Sequence, residues 1–145
     1  MHLRTNDIPI AIDAPGAIAR QERDFGDADG TIGAEHMVLK GGTDLAPLLL
    51  GLDDDACSSP HWGYVVAGDV VVSYLDGTTE RCTAGDVVHW PAGHRLRVVR
   101  DAELVLFSPQ DAHTPVLDHI RERAPAAPSA SVAAGGGIRE RSPRH

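Results

Sequence analysis

Histidines stand at the ends of two short apolar segments in the middle of the chain. The first segment, residues 60–68, has His61 near its start, and the second, residues 85–94, ends on His94. Imidazole changes its charge near neutral pH and is the commonest protein ligand for transition metals. Strand pairing between the two segments would bring these histidines into one small polar pocket of an otherwise apolar barrel.

Short strands are the elements that would position these histidines. Apolar runs recur at spacings of roughly ten residues and are separated by turn signals, as in all-β sandwiches and barrels. We expect strands at residues 37–39, 45–50, 61–67, 69–75, 78–83, 87–90, 96–99 and 104–107. No segment between these runs is long and periodic enough for a crossover helix, which argues against parallel βαβ units.

Turn signals separate the expected strands. Asp76-Gly77, between two apolar runs, is a two-residue hairpin signal. We also expect turns at Gly68-Asp69 and at residues 100–102. Pro47 lies inside the run at residues 45–50, which favours an edge strand or a bulge there because proline cannot donate to a strand ladder.

The two ends of the chain differ from this centre. Residues 1–30 lack a long periodic pattern and are expected to form an N-terminal arm before a barrel domain at residues 31–123. A short helix closes that domain, with Thr114 as its N-cap and Pro115 as its first residue. Residues 124–145 are rich in Ala, Pro, Gly and Ser, so they bury too little apolar surface to order themselves, and we expect a disordered tail.

Composition and charge narrow the class of protein. The 145 residues are enough for one domain with a real core. The net charge of −8 argues against nucleic acid and anionic membranes as partners, because both require clustered Lys and Arg. No apolar run approaches the roughly 20 residues of a membrane span, and the N-terminus lacks the apolar core of a signal peptide. Two cysteines are too few for a disulfide framework, and we expect a cytoplasmic protein.

The residue pattern at the centre resembles that of a known family. Gly85-Asp86, followed by Pro91, Gly93 and a nearby histidine, resembles the second motif of the cupins, and the stretch that ends at Gly68 resembles their first motif. The resemblance covers roughly residues 39–109. It implies an all-β fold, the cupin-type double-stranded β-helix or jelly-roll barrel, here with an N-terminal arm and a short C-terminal helix.

A branch of small single-domain cupins of unassigned function is the nearer match. The segments that carry this narrower resemblance are residues 42–45, 57–68 and 107–109. Cupins include enzymes, binders and storage proteins, so the resemblance does not by itself fix a function.

The ligand positions of the metal-binding cupins are occupied differently in this chain. Those cupins supply two histidines and a glutamate from the first motif and one histidine from the second. By that pattern the glutamate position falls at His61, and the first two histidine positions fall near Asp55 and Cys57. The last histidine position falls at Leu96, two residues after His94. The resemblance therefore does not imply the usual iron or manganese chemistry.

The residues near those positions can nevertheless all bind a metal. Residues two and four apart share a face of an extended strand, so Asp55, Cys57 and His61 could all point into the barrel. His94 also has the parity to face inward, whereas Pro60 could begin the strand and leave Cys57 in a loop. A thiolate, two imidazoles and a carboxylate suit Zn²⁺. The sequence predicts a divalent transition-metal site, zinc favoured, formed by His61, His94, Cys57 and Asp55.

Two functions of different classes fit such a site. The first is a metal-dependent enzyme of the lyase, isomerase or cyclase type, in which three protein ligands leave one position open for a small organic substrate. The second is a module that binds or senses a small molecule without turnover, with a structural metal or none. A closed set of four protein ligands would favour the second. Open barrel edges indicate a homodimer.

The remaining residues near the motifs are expected to be structural. Cys82 is expected to be a small buried hydrophobe, and Tyr64 is expected to face away from the pocket. His89 is expected to pack between strands, although whether it joins the site stays open. The histidines outside the motifs are expected at the surface; they are His36, His113 and His119.

Overall fold

Antiparallel strands are the main regular elements of the described residues. The computed structural model describes residues 1–125. Within them the strands are β1 (Ile10–Ala14), β2 (Ala17–Glu22), β3 (Ile32–Leu39), β4 (His61–Tyr74), β5 (Thr79–Thr83), β6 (Val87–Trp90) and β7 (His94–Pro109). One α-helix, α1 (Gln110–Arg123), follows. The expected all-β fold with a short C-terminal helix is confirmed. The tail expected at residues 124–145 lies, from residue 126 onward, outside the described residues.

Two long strands give the sheet its curvature. The strand order is β1-β2-β3-β7-β4-β5, with β6 paired to β4 as well. β4 pairs with β7 along most of its length. It also pairs with β6 at residues 61–64 and with β5 at residues 69–73. All seven strands of the described residues belong to one sheet, in which β4 changes neighbours along its length.

The turn expected at Gly68-Asp69 is wrong, because β4 runs through it as one strand with shifts of register against β7. Gly68 has φ +88°, and a Cβ at this position would lie 2.1 Å from the carbonyl oxygen of Asp101. Only glycine allows this conformation and this close approach of β7. The expected turn at residues 100–102 is wrong too, since these residues belong to the facing part of β7.

Two elements at the barrel mouth also differ from expectation. The run at residues 45–50 forms a 3₁₀ helix, Ala46–Leu49, instead of a strand, and Pro47 fits its first turn, where a missing N–H costs little. The C-terminal helix begins at Gln110, not after Thr114, and Pro115 lies inside it. The Gln110 N–H donates to the carbonyl of Thr31 at 2.9 Å, so tertiary contact with the chain before β3 sets the start of α1.

The core fills the barrel and its mouth. Cys82 is buried in it, as expected of a small hydrophobe. The main cluster of buried side chains comprises Leu39, Val65, Val70, Val72, Cys82, Val88, Trp90, Leu96, Val98, Ala102, Leu104 and Leu106. A second cluster, Leu49, Cys57 and Val116, packs α1 against the mouth. No helix among residues 1–125 combines the length and apolarity needed to cross a membrane.

The N-terminal segment contributes to the same sheet. β1 and β2 form a hairpin, and β2 pairs with β3 from Ala17 to Glu22. Side chains of this hairpin therefore line the barrel interior. The division into an arm at residues 1–30 and a barrel at residues 31–123 stays a prediction.

Candidate metal centre

Three side chains with metal-binding atoms meet inside the barrel. One ligand atom from each of Cys57, His61 and His94 lies within 4.8 Å of the others, and all three residues are buried. Cys57 precedes β4, His61 is the first residue of β4, and His94 is the first residue of β7. The structure thus brings together three of the four residues that the sequence suggested as ligands.

A short β-bridge directs Cys57 inward. Its N–H donates to the carbonyl of His94 at 2.9 Å, and the N–H of Gly93 donates to the Cys57 carbonyl at 2.7 Å. Strand parity does not explain the position of Cys57, since β4 begins only after Pro60 and leaves Cys57 in a loop. Gly93, with φ +88°, makes the turn that brings His94 to this bridge.

Hydrogen bonding fixes the orientation of the His61 ring. Its Nδ1 lies 2.5 Å from the Ser108 hydroxyl, and that hydroxyl donates to the Glu35 carboxylate at 3.2 Å. Since the hydroxyl proton points to Glu35, Ser108 accepts a hydrogen bond from Nδ1–H of His61. The Nε2 lone pair then faces the Cys57 sulfur, 3.5 Å away. This arrangement, with the outer nitrogen bonded and the inner nitrogen free, is typical of metal-binding histidines.

The His94 ring is held in the same sense. Its Nδ1 lies 2.7 Å from the carbonyl oxygen of Pro91. A carbonyl only accepts, so Nδ1 carries the proton and Nε2 keeps its lone pair. The His61 and His94 ring centroids are 5.1 Å apart. Both histidines therefore offer Nε2 as a ligand atom.

Burial keeps all three groups uncharged. It raises the pKa of the Cys57 thiol to about 11, and it is the largest cause of the lowered pKa values of His61 and His94. The nearby His113 lowers the pKa of both histidines further, whereas the hydrogen bond to Pro91 raises that of His94. Neutral imidazole is the form that binds metals, and the thiol would lose its proton on binding one.

Asp55 and His89 lie outside this group. Asp55 is exposed in the short 3₁₀ helix Asp53–Asp55, with φ +50°, and its carboxylate accepts a hydrogen bond from the N–H of Gly51 at 2.9 Å. That tight turn breaks the strand parity on which an inward position of Asp55 depended. His89 is exposed on the outer surface, where its ring stacks on Trp62 at 4.8 Å. Tyr64 faces outward, as expected.

The surface position expected for two histidines is wrong. His36 is buried and pairs with Glu103 at 2.9 Å. His113 is 3% exposed, its Nδ1 lies 2.6 Å from the Glu35 carboxylate, and its ring centroid is 4.7 Å from that of His61. His113 precedes Val116 and Leu117 by three and four residues, which is the spacing of one helix face. That signal was missed because the helix was expected to begin after His113.

A cavity of about 150 Å³ opens onto the three residues. Cys57, His61, His94 and His113 all line this cavity. Most of the remaining wall is apolar and includes Met37, Leu39, Leu49, Leu106 and Val116. The site therefore combines one cluster of polar groups with a space suited to an apolar molecule.

The sequence matches no protein-family model and no curated protein, but the fold matches solved structures. The chain is similar to the oxalate decarboxylase–formate complex of Lactobacillus farciminis (TM-score 0.52, 17% identity, 74% of this chain). It is equally similar to a variant of Bacillus subtilis oxalate decarboxylase (TM-score 0.52, 18% identity, 74% of this chain). The polyketide cyclase RemF of Streptomyces resistomycificus also matches (TM-score 0.52, 16% identity, 76% of this chain and 79% of RemF).

These likenesses concern the fold, since the identities are low. The chain spans only 32% of the Lactobacillus decarboxylase and 28% of the Bacillus enzyme. The shared feature is the antiparallel barrel into which β4 and β7 bring the site residues. The solved structures thereby confirm what the glycine and proline motifs predicted: by its architecture, this chain is a small cupin-like β-barrel protein.

Proposed function

We propose that Cys57, His61 and His94 hold a divalent transition-metal ion, with zinc favoured, and that the protein binds or transforms a small organic molecule beside it. The observation that carries the proposal is the convergence of three buried ligand atoms within 4.8 Å. Tetrahedral zinc bonds of about 2.3 Å to sulfur and 2.0–2.1 Å to nitrogen place the two ligand atoms about 3.5 Å apart. The sulfur of Cys57 and Nε2 of His61 are separated by 3.5 Å.

The donor set also supports this choice of metal. A thiolate with two imidazoles suits zinc, whereas iron oxygenases use two histidines and a carboxylate. Among residues 1–125 the group contains three ligands, so a fourth position would stay open for substrate or water. A zinc ion there would polarise a carbonyl or lower the pKa of a bound water to about 7.

Such a site suits isomerase, cyclase or lyase chemistry. The chain's own residues would orient the molecule and keep water out, because most of the cavity wall is apolar. Solved structures of similar fold include proteins named as a decarboxylase and a polyketide cyclase, which supports chemistry on small organic molecules.

The alternative is a module that binds or senses a small molecule without turnover. The apolar wall favours it as well, since binding alone needs only a shaped cavity with a few polar groups. A fourth protein ligand would make the metal purely structural. The open fourth position in the described part of the chain makes the enzyme the better supported of the two.

Cobalt substitution tests the metal site directly. Protein stripped with a chelator and titrated with Co²⁺ should show the near-ultraviolet absorption of a cobalt–thiolate bond and the intense visible bands of tetrahedral cobalt. The Cys57→Ser variant should lose the near-ultraviolet band. The matched control Cys82→Ser should keep it, because Cys82 is buried in the main core cluster, away from the site.

Elemental analysis supplies a second measurement of the same site. Protein produced with added zinc should carry about one zinc per chain, and this content should fall in Cys57→Ser. Wild-type protein without any transition metal above background, or a cobalt–thiolate band that survives in Cys57→Ser, would refute the proposed metal site.

We also propose that the protein forms a homodimer, as its open barrel edges suggest. Support comes from the outer face of β4, where Trp62, Tyr64 and Val66 are 45%, 45% and 41% exposed. A second copy would cover this apolar face. Light scattering on the eluting protein should give twice the chain mass, and a monomer at micromolar concentration would contradict the proposal. The cytoplasmic location stays a prediction.

A further inference from the structure

His113 is a buried histidine on the cavity wall that lies outside the proposed ligand group. It projects from α1, is 3% exposed, and lies edge-to-face with His61 at a centroid distance of 4.7 Å. Val116 and Leu117, on the same helix face, are buried with it. The helix therefore inserts one polar ring between the three proposed metal ligands and the apolar part of the cavity.

Glu35 fixes how this ring presents its nitrogens. The Glu35 carboxylate accepts from Nδ1–H of His113 at 2.6 Å and from the Ser108 hydroxyl at 3.2 Å. When the ring carries a single proton, on Nδ1, it keeps a lone pair on Nε2. Within residues 1–125 that nitrogen has no hydrogen-bond partner, although the residue is almost fully buried. Because His113 lines the cavity, a molecule that enters the cavity can supply that partner.

The size and lining of the cavity limit what that partner can be. Its volume is about 150 Å³, and an apolar protein cavity of roughly this volume accommodates a benzene-sized molecule. Around it, β1, β2, β3 and α1 supply mainly aliphatic side chains. The molecule must therefore be apolar over most of its surface and carry its polar group at the end nearest the histidines.

We propose that His113 determines specificity: its Nε2 accepts a hydrogen bond from a hydroxyl or N–H group of a bound molecule about the size of one ring. The ligand class is an apolar ring compound with a hydrogen-bond donor, as in a phenol, and not its ether. This inference rests on the proposed function, because both require the cavity to admit a small molecule. His113 is a selecting residue here, since it lies outside the group of three proposed metal ligands.

Phenol and its methyl ether, anisole, test the inference because in anisole a methyl group replaces the hydroxyl proton, which removes the donor. Their dissociation constants for the full-length protein, with zinc and after chelator treatment, are measured by calorimetry or by NMR titration. Wild type should bind phenol about threefold to tenfold more tightly than anisole, the value of one buried hydrogen bond. His113→Leu should lose this preference, whereas His113→Gln, which keeps an acceptor, should retain part of it.

A matched variant and the metal-free arm separate the possible causes. His36→Leu changes a buried histidine that pairs with Glu103 and does not line the cavity, so it should keep the preference. A preference that persists in His113→Leu, equal binding of the two probes by wild type, or binding of neither probe overturns the proposal. A preference for phenol that is unchanged after chelator treatment assigns it to His113 and not to the metal, and a wild type that prefers phenol but binds no zinc refutes the metal site alone.

Discussion

Two carboxylates are buried in this barrel, and they are bonded to opposite kinds of partner. Glu35 on β3 and Asp69 on β4 are each about 1% exposed at the side chain. Glu35 accepts from a histidine and a serine, whereas Asp69 is bonded to an arginine. The fold therefore uses one residue chemistry for two different tasks.

Asp69 serves the architecture of the barrel. It lies where β4 changes neighbours, opposite Thr83 of β5 and Arg100 of β7. The exposed Arg81 donates hydrogen bonds to its carboxylate, with Nε 3.0 Å and 3.1 Å from the two oxygens. A buried charge is tolerated only when it is paired and hydrogen-bonded. The Asp69–Arg81 pair meets this condition and stabilises the irregular part of β4. Asp69 does not line the cavity.

Glu35 instead supports the side chains of the candidate metal centre. One oxygen holds His113, and the other holds Ser108, which in turn holds His61. The carboxylate therefore orients two rings at once, His113 directly and His61 through Ser108. The comparison teaches that the partners of a buried carboxylate, and not its burial, distinguish a structural lock from a support for a site.

Of the substitutions that test this comparison, Glu35→Gln should have the largest effect. The amide keeps a single acceptor oxygen for two donors, so the network that runs through Ser108 to His61 loses a hydrogen bond. Residues that orient metal ligands typically contribute tenfold to a hundredfold in affinity, and we expect about tenfold weaker zinc binding here. A competition titration against a chromophoric chelator measures it.

Asp69→Asn is the matched control for that variant. It makes the same chemical change at the other buried carboxylate, so its zinc affinity should equal that of wild type while its melting temperature falls. Equal losses of zinc affinity in the two variants would show that general destabilisation, not the orientation of His61, explains the result.

The sequence predicted the candidate metal ligands better than the residues that orient them. Cys57, His61 and His94 could be grouped because glycine and proline motifs mark the strand ends that bring them together. Their supports could not, since Glu35 and Ser108 are separated by 73 residues and Ser108 and His61 by 47. Local pattern carries no information about such pairings, which depend on the register of β7 against β3 and β4.

The errors in the fold prediction have local causes of the same kind. A glycine within an apolar run indicates a turn and an irregular strand equally well, so Gly68 divided β4 in the prediction. For α1, the Thr114-Pro115 pair satisfied the rules for a helix start, while the contact of Gln110 with Thr31 set the actual one. The hairpin around Asp76-Gly77 and the strand after it, expected at residues 78–83 and observed at Thr79–Thr83, were predicted closely, because there the local signal alone decides.

Acid should have a smaller effect, which is to remove the stabilisation that the Asp69–Arg81 pair provides. The hydrogen bond from Arg81, with the charges of Arg81 and Arg100, lowers the pKa of Asp69 below its ordinary value. The unfolded chain then binds more protons than the native one in acid, so the stabilisation is full above about pH 4 and is lost as the pH falls through the lowered pKa. The difference in melting temperature between wild type and Asp69→Asn should therefore shrink below pH 4.

An exposed carboxylate sharpens this test of the lock. Asp101 also has a lowered pKa, chiefly from the N–H of Gly41, but its partner Lys40 and its own side chain are both 69% exposed. Water screens such a pair, so Asp101→Asn should change the melting temperature less than Asp69→Asn at neutral pH. If the gap for Asp69→Asn stayed constant down to pH 2, the negative charge would not be the source of its stabilising effect, and Asp69 would hold β4 through shape and neutral hydrogen bonds alone.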